Sequence, residues 1–154
     1  SMPNENWAGH NAECSWVMCY AARVIEDEEL ITTTRKMAVS MMDRVIETAK
    51  DEVHGGYYNL IPPDGTLEQE RSWWPQAEIA VGLWNAFEIT SNSRYEKLAR
   101  QQISYIKKHL LSENGEWFGS LISKGEPVEG APQVFFWKSM YHTLRYYDYF
   151  LSRV

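Results

Sequence analysis

Two histidines with distinctive neighbours are the residues of this chain best suited to chemistry. His10 precedes Glu13 in the run GHNAE, and His142 ends the run WKSMYH. Between them in the sequence, Trp73 and Trp74 open the run WWPQAE, which ends at Glu78. Histidine moves protons near neutral pH, and tryptophan offers an apolar ring face on which a sugar can stack. The set predicts proton transfer on a carbohydrate.

Each of these three segments opens a predicted helix, which suggests different roles for the two histidines. The positive end of a helix dipole disfavours imidazolium, so we expect His142 to present a neutral ring that can act as a base. Glu13 follows His10 by three residues, and its carboxylate is expected to orient the His10 ring and favour its protonated form. Such a pair could remove a carbon-bound proton next to a carbonyl and return one.

Other interpretations of the same residues compete with this one. A histidine at a helix start can be structural, and the tryptophan pair can belong to the core. His10, Glu13 and His142 lack the full spacing of a zinc site, so no metal is predicted. Glu13, Glu78 and Glu116 could instead be the carboxylates of a glycosidase, a hypothesis that depends on their separation.

Other residues of the same types are expected to be structural. Trp16 and Trp84 fall in the middle of predicted helices, where a core position is the better interpretation. His54 and His109 fall at the ends of outer helices, and we expect them to be exposed to solvent and outside the cleft.

Composition bounds the class of protein. The 154 residues suit one domain at 3–154, with Ser1 and Met2 interpreted as a cloning remnant and a start methionine. A net charge of −6 without a basic tract argues against nucleic acid as a partner, and no apolar run predicts a membrane span. Cys14 and Cys19 are expected to be buried and reduced, which favours a cytoplasmic protein.

Apolar residues recur at helical spacing in five segments, so an all-α fold is predicted. The expected helices cover residues 9–26, 34–53, a third segment ending near 89, 93–111 and 139–154. Pro75 suits the first turn of the third helix, and Ser93 and Glu96 have capping-box spacing at the start of the fourth. The two long loops carry strand-like segments at 57–61 and 116–122, with turns at 62–65 and 124–125.

Charge density separates inner helices from outer ones. The second and fourth helices are rich in charge, whereas the third has only Glu78 and Glu88 in its body, so odd-numbered helices are expected to be inner. Alternate helices of an up-and-down array run parallel, so helices one, three and five start at the same end. We therefore expect one cleft there, formed by His10, Trp73, Trp74, Trp137 and His142.

These motifs resemble the C-terminal part of the N-acylglucosamine 2-epimerase family, which includes cellobiose 2-epimerases and aldose–ketose isomerases. The resemblance covers nearly the whole chain. It rests on four motifs in order: Gly9-His10 with Glu13, Trp73-Trp74-Pro75-Gln76-Ala77-Glu78, Gly115-Glu116-Trp117-Phe118, and Trp137-Lys138 with Tyr141-His142 and Arg145. Met140 departs from the pattern, since many members have proline there.

The resemblance implies an (α/α)6 barrel that needs no metal or cofactor. Such enzymes epimerise a reducing sugar at C2 through ring opening and a cis-enediolate exchanged between two histidines. The N-terminal half of the barrel, with an arginine for the enediolate and a further histidine for ring opening, has no match here. We therefore expect an incomplete toroid of antiparallel helical hairpins with short β elements in its loops.

The predicted function is a sugar 2-epimerase or isomerase acting on a mono- or disaccharide of N-acylglucosamine, cellobiose or mannose type. His142 is the expected base, His10 the opposite acid or base, and Glu13 its orienting carboxylate. Substrate contacts are expected from Trp73, Trp74, Glu78, Trp117, Trp137 and Arg145. A non-catalytic carbohydrate-binding module and an α/α-barrel glycosidase are the alternatives. We expect a homo-oligomer, or a partner that supplies the missing half-barrel.

Overall fold

A computed structural model describes residues 6–61, 70–122, 124–151 and 153. The expected remnant at residues 1–2 and the expected turn at 62–65 lie outside the described residues. Within the described ranges the chain forms helices α1 (Ala8–Ile25), α2 (Glu28–Ala49), α3 (Trp73–Thr90), α4 (Ser93–Tyr105) and α5 (Tyr141–Leu151). A π-helical turn, Ile106–Leu110, continues α4. The all-α prediction is confirmed.

α3 is the central helix of this arrangement. It packs against both α1 and α5. Helix α2 packs on α1 and α3, and helix α4 packs on α3. Thirteen of the 18 residues of α3 are buried, against four of the 22 residues of α2. The predicted difference between inner and outer helices therefore holds most clearly for α3 and α2.

Helix α2 starts earlier than its apolar pattern predicts. Glu26 closes α1 in the left-handed conformation, with φ of 60°, and Asp27 immediately caps α2. The Asp27 carboxylate accepts hydrogen bonds from the backbone amides of Glu29 and Leu30 at 2.9 and 3.0 Å. Acidic residues are favourable at a helix N-terminus, so the acidic run separates the two helices and also opens the second.

The start of α4 also differs from the prediction. Asn92, not Ser93, is the N-cap, and its side chain accepts from the backbone amide of Arg94 at 3.0 Å. Asparagine caps at least as well as serine, so the capping-box spacing pointed one residue too far.

The loops carry four short strands, β1 (Asn6–Trp7), β2 (Leu60–Ile61), β3 (Arg71–Ser72) and β4 (Ser120–Leu121). β1 pairs antiparallel with β2, and β3 with β4. The expected strand at 57–61 is shorter because the Gln76 side chain bonds the backbone of Tyr57 at 2.7 and 3.1 Å. The expected turn after Ile122 is present, and Gly125 has φ of 82° there. The β1–β2 pairing brings the first long loop to the start of α1, and the β3–β4 pairing brings the second to the start of α3.

Two predictions about solvent exposure are wrong. His109 is half-buried, because its ring stacks on Tyr105 at 4.7 Å and its Nδ1 lies 3.0 Å from the carbonyl oxygen of Gly125. Cys14 is exposed rather than buried, whereas Cys19 is buried; both thiols are free. Trp16 and Trp84 lie in the core as predicted.

No helix of the described part is long and apolar enough to span a membrane.

Candidate active site

The starts of α1, α3 and α5 meet at one end of the domain, as the alternation of helices predicts. The Trp74 indole contacts both imidazoles there, with ring centroids 4.8 Å from His10 and 5.3 Å from His142. Trp7 adds a fourth ring, 6.0 Å from that of His10. The three sequence motifs therefore form one cluster in space.

Gly9 allows α1 to approach α3 this closely. A Cβ atom at Gly9 would lie 2.5 Å from the Trp74 ring and 3.0 Å from Pro75. Any larger residue would push the two helices apart and displace His10 from Trp74. The glycine before the histidine is thus required by packing.

Glu78 is the centre of the polar network below these rings. Its carboxylate is 1% exposed and accepts three hydrogen bonds. Oε1 lies 2.6 Å from Nδ1 of His142 and also accepts from the guanidinium of Arg145, while Oε2 accepts from Nε1 of Trp16 at 2.9 Å. A buried carboxylate needs such partners, because burying an unpaired charge is costly.

The contact with Glu78 selects the tautomer of His142. A carboxylate only accepts hydrogen bonds, so Nδ1 carries the proton and the neutral ring has its lone pair on Nε2. Arg145 Nη2 lies 3.3 Å from the same Nδ1 because both nitrogens donate to Oε1 of Glu78. His142 is thereby held in the form that can accept a proton on Nε2.

Arg145 joins the carboxylates of α1 and α3. Its Nη2 donates to Oε1 of Glu13 at 2.7 Å as well as to Glu78, and its guanidinium lies 3.9 Å from the Tyr141 ring centroid and 4.7 Å from that of Trp16. Burial alone would lower the pKa of Arg145, but Glu78 and Glu13 outweigh it, and the pKa is raised. Arg145 therefore remains a cation that ties α5 to α1 and α3.

Glu13 does not orient His10 as the helical spacing predicts. Its carboxylate turns instead to α5, where it accepts from Arg145 and, at 3.4 Å, from the hydroxyl of Tyr141. Among the described residues, the ring contacts recorded for His10 are with Trp7 and Trp74, and His10 is exposed. The cation of Arg145 attracts the carboxylate more strongly than an exposed imidazole can.

Three of the tryptophans expected to contact substrate lie outside the cluster of His10, Trp74 and His142. Trp73 is buried and packs edge-on against Phe135 at 5.6 Å. Trp117 is 1% exposed and donates its Nε1 hydrogen to the hydroxyl of Tyr147 at 2.9 Å, so no ring face is free for a sugar. Trp137 is 78% exposed. Its ring packs edge-on against Phe136 at 5.1 Å rather than against the rings of the histidine cluster.

Sequence reasoning missed Trp16 and Tyr141 as members of the site. Both could have been found from helical spacing, because Trp16 follows Glu13 by three residues and Tyr141 precedes Arg145 by four. Each pair shares one helix face. Glu78 was expected to contact substrate, whereas its recorded contacts are with protein side chains.

One group of side chains in the described part has the donor atoms for a metal ion. Ligand atoms of Glu13, Glu78 and His142 lie within 4.8 Å of one another. The guanidinium of Arg145 already bonds both carboxylates and offsets one of their two negative charges, so the protein supplies a cation of its own at this place. His10, which the sequence analysis considered as a ligand without predicting a metal, is not part of the group.

The carboxylates proposed for a glycosidase are all engaged by cations. Glu13 and Glu78 bond the same nitrogen of Arg145, and Glu116 pairs with Lys138 at 2.8 Å. Glycosidases need two carboxyl groups facing each other across the scissile bond. Glu13 and Glu78 converge on one atom instead, which disfavours this alternative.

Relatives of known sequence support the reading of these motifs. The chain is 30% identical over 141 residues to the cellobiose 2-epimerase of Eubacterium cellulosolvens, covering 89% of this chain and 33% of that protein. The chain therefore spans about a third of the length of this relative.

Solved structures show the same architecture. A sugar epimerase from a ruminal bacterium superposes with a TM-score of 0.91 at 24% identity, covering 99% of this chain and 39% of that one. The cellobiose 2-epimerase from Bacillus thermoamylovorans gives a TM-score of 0.87 at 26% identity, with coverages of 100% and 39%. The fold is an incomplete (α/α)6 toroid, as predicted.

A family profile also matches most of the chain. It is that of N-acylglucosamine 2-epimerase (GlcNAc 2-epimerase), and it matches residues 4–145, a range that includes all four sequence motifs. The chain therefore belongs to the N-acylglucosamine 2-epimerase family.

Proposed function

We propose that this chain carries the proton-transfer site of an enzyme that epimerises or isomerises a reducing sugar at C2. The observation that carries the proposal is the contact of two imidazoles with one indole, at 4.8 and 5.3 Å between ring centroids. A sugar placed against Trp74 would have two proton-transfer groups within reach. Epimerisation needs two such groups, since the proton leaves one face of C2 and returns to the other.

His142 is the principal base in this proposal. Its Nε2 accepts the proton from C2 of the open-chain aldose, and the electron pair of the C–H bond forms the enediolate. Glu78 accepts from Nδ1 at 2.6 Å, so the carboxylate stabilises the imidazolium that results. His10 then returns a proton to C2 from the other side, and the reverse reaction exchanges the two roles.

The buried network makes His142 a rigid base. Rotation of its ring would leave the buried Glu78 carboxylate with one hydrogen-bond partner fewer, which costs free energy. His10 is exposed and rests on Trp7 and Trp74, so it lies at the open side of the site. The substrate therefore enters from the side of His10, with Trp74 as its stacking surface.

Deuterium exchange tests the proposal directly. The purified chain is incubated in deuterated water with mannose, cellobiose or N-acetylmannosamine, and C2 is monitored by NMR. Deuterium at C2 supports proton transfer, and the products distinguish a C2 epimer from a ketose. Because the chain spans about a third of its relatives' length, sugar binding without exchange would favour a carbohydrate-binding module, and release of a smaller sugar would favour a glycosidase.

A further inference from the structure

Lys138 is the single buried residue in a long exposed segment. From residue 129 to residue 140, the other side chains are exposed or partly exposed, and the Lys138 side chain is only 4% exposed. Lysine is seldom buried unless its ammonium is fully paired. The segment leads directly into α5, whose second residue is His142.

The ammonium of Lys138 uses all three of its hydrogens. Nζ donates to Oε1 of Glu116 at 2.8 Å, to the carbonyl oxygen of Trp117 at 2.7 Å and to that of Gln133 at 2.6 Å. The ion pair in turn acts on Glu116. The hydrogen bond from Lys138, aided by one from the backbone amide of Trp117, holds the pKa of Glu116 below its ordinary value.

The turn that receives Lys138 is itself firmly held. Ser112 bonds the carbonyl oxygen of Glu116 through its backbone amide at 2.9 Å and through its hydroxyl at 2.6 Å. The amide of Phe118 donates to the carbonyl of Leu110 at 2.8 Å, which fastens the turn to the end of the π-helical turn. Lys138 therefore joins the exposed segment to a fixed point.

A second connection ties the same turn to α5. The Trp117 ring packs edge-on against Tyr146 at 5.2 Å, and its Nε1 bonds the hydroxyl of Tyr147 at 2.9 Å. The Glu116–Trp117 turn thus contacts the chain at Lys138, before α5, and at Tyr146 and Tyr147, within α5. His142 lies between these two attachments in the sequence.

We propose that Lys138 is a positioning residue for His142. Its buried ammonium fixes the entry of α5 to the Glu116–Trp117 turn, and so fixes the imidazole against Glu78. The role in catalysis rests on the proposed function, but the geometric role does not. Without the ammonium, the segment would keep the contact of Phe135 with Trp73 but lose its one buried ion pair, and the first turn of α5 would be held less firmly.

Imidazole NMR tests the geometric role without any substrate. The chain is labelled with ¹⁵N-histidine, and the His142 signals are assigned by their loss in His142→Gln. In Lys138→Met, a neutral side chain of similar length, we expect the His142 signals to shift and the Nδ1 hydrogen to exchange with solvent about tenfold faster. His54 bonds Asp51 in a different loop, and its signals are expected to stay unchanged.

A milder variant keeps the test decisive if Lys138→Met does not fold. Glu116→Gln removes the charge but leaves the ammonium its two carbonyl acceptors, and a smaller shift of the same His142 signals is expected. Lys97→Met, at an exposed position of α4, is the matched control. Unchanged His142 signals in folded Lys138→Met, or in Glu116→Gln where the first variant is unfolded, would overturn the proposal.

Measurements of C2 exchange distinguish the positioning role of Lys138 from the proposed function. If the chain exchanges deuterium at C2, Lys138→Met should slow exchange by about tenfold to a hundredfold with little change in KM, because misplacing a catalytic group chiefly affects the chemical step. A wild-type chain that shows no exchange contradicts the proposed function alone, since the NMR result for His142 still decides the role of Lys138.

Discussion

The indole Nε1 of Trp16 donates to Oε2 of Glu78 at 2.9 Å, across the contact between α1 and α3. Oε1 of the same carboxylate holds Nδ1 of His142 at 2.6 Å. One carboxylate thus links the three inner helices, and a tryptophan that packs as a core residue also fixes the carboxylate that orients the base. Core packing and site geometry are coupled through Glu78.

Trp16→Phe separates the hydrogen bond from the packing. The phenyl ring keeps much of the apolar contact but leaves Oε2 of the buried Glu78 without its partner, which costs about 1–3 kcal/mol. We expect the denaturation midpoint to fall accordingly and C2 exchange to slow. Trp84→Phe, at a buried indole that packs on Phe87 and Phe150, is the matched control for lost ring volume. Equal losses of stability and activity in the two variants would refute a special role for the Trp16 hydrogen bond.

Arg145→Met leaves two carboxylates without their shared cation. Because Glu78 is 1% exposed, breaking this pair is expected to lower the free energy of unfolding by about 3–5 kcal/mol. Arg145→Met combined with Glu78→Gln should recover part of that loss, since no unpaired charge stays buried. Urea denaturation of the single and double variants measures this. A double variant no more stable than Arg145→Met alone would contradict it.

Replacing His142 tests the proposed base. In His142→Gln we expect helical content by circular dichroism to stay near that of the parent chain and C2 exchange to be abolished, because the principal base of the proposed reaction is lost. His10→Ala should act similarly. His54→Gln is the control at an exposed imidazole on another loop. Full exchange in His142→Gln would remove this residue from the mechanism.

The fold was predictable because its signals are local. Helical apolar spacing gave five helices, and the alternation of charged and apolar helices implied that helices one, three and five start together. The contact of His10 and His142 with Trp74 agrees with that inference. Helix starts were less predictable, since the acidic run ending at Glu29 suits either a helix end or, through Asp27, a cap.

The partners of the histidines were not predictable from spacing. Glu13 and His10 share a helix face, yet Glu13 turns to Arg145 on α5, and Glu78 on α3 bonds His142. These hydrogen-bond partners depend on how α1, α3 and α5 pack together, whereas spacing in the sequence indicates only neighbours within one helix. The burial of Trp117 has the same origin, because it depends on Tyr146 and Tyr147, residues far along the chain.

Asp51 should control stability in acid. Burial raises its pKa, but hydrogen bonds from the backbone amides of His54 and Val53 and from Tyr58 outweigh this, and the pKa lies well below the ordinary 3.8. The buried Arg71 also pairs with this carboxylate. The unfolded chain therefore takes up a proton that the folded chain does not, so this stabilisation is present above about pH 4 and is lost as the pH falls further.

Asp51→Asn tests that expectation. The variant should be about 3 kcal/mol less stable at pH 7, because Arg71 loses its buried partner, and its stability should fall less steeply between about pH 5 and 2. Urea midpoints measured across this range give the slope. Glu96→Gln, which removes an exposed ion pair with Arg100, is the control. If stability falls with pH as steeply in the variant as in the parent chain, Asp51 does not control stability in acid.

Apolar side chains on both flanking inner helices predict self-association. Val17, Tyr20 and Val24 are exposed on α1, and Leu144 and Leu151 are exposed on α5. Monomers rarely leave so much apolar surface in water, and a two-fold pairing of these flanks would bury it on both copies at once. We therefore predict a homodimer or a higher oligomer in light scattering at micromolar concentration.

Charged substitutions on these flanks identify the interface. Val24→Glu and Leu144→Glu should shift the chain towards monomer, because a dimer would have to bury the new carboxylates. Val53→Glu places the same charge on an exposed loop residue, 82% accessible and outside α1 and α5, and should leave the oligomer intact. The prediction fails if the parent chain scatters as a monomer, melts cooperatively and binds no hydrophobic dye. A hydrophobic dye binds exposed apolar surface, so the absence of binding would show that these flanks are stable in water without a partner.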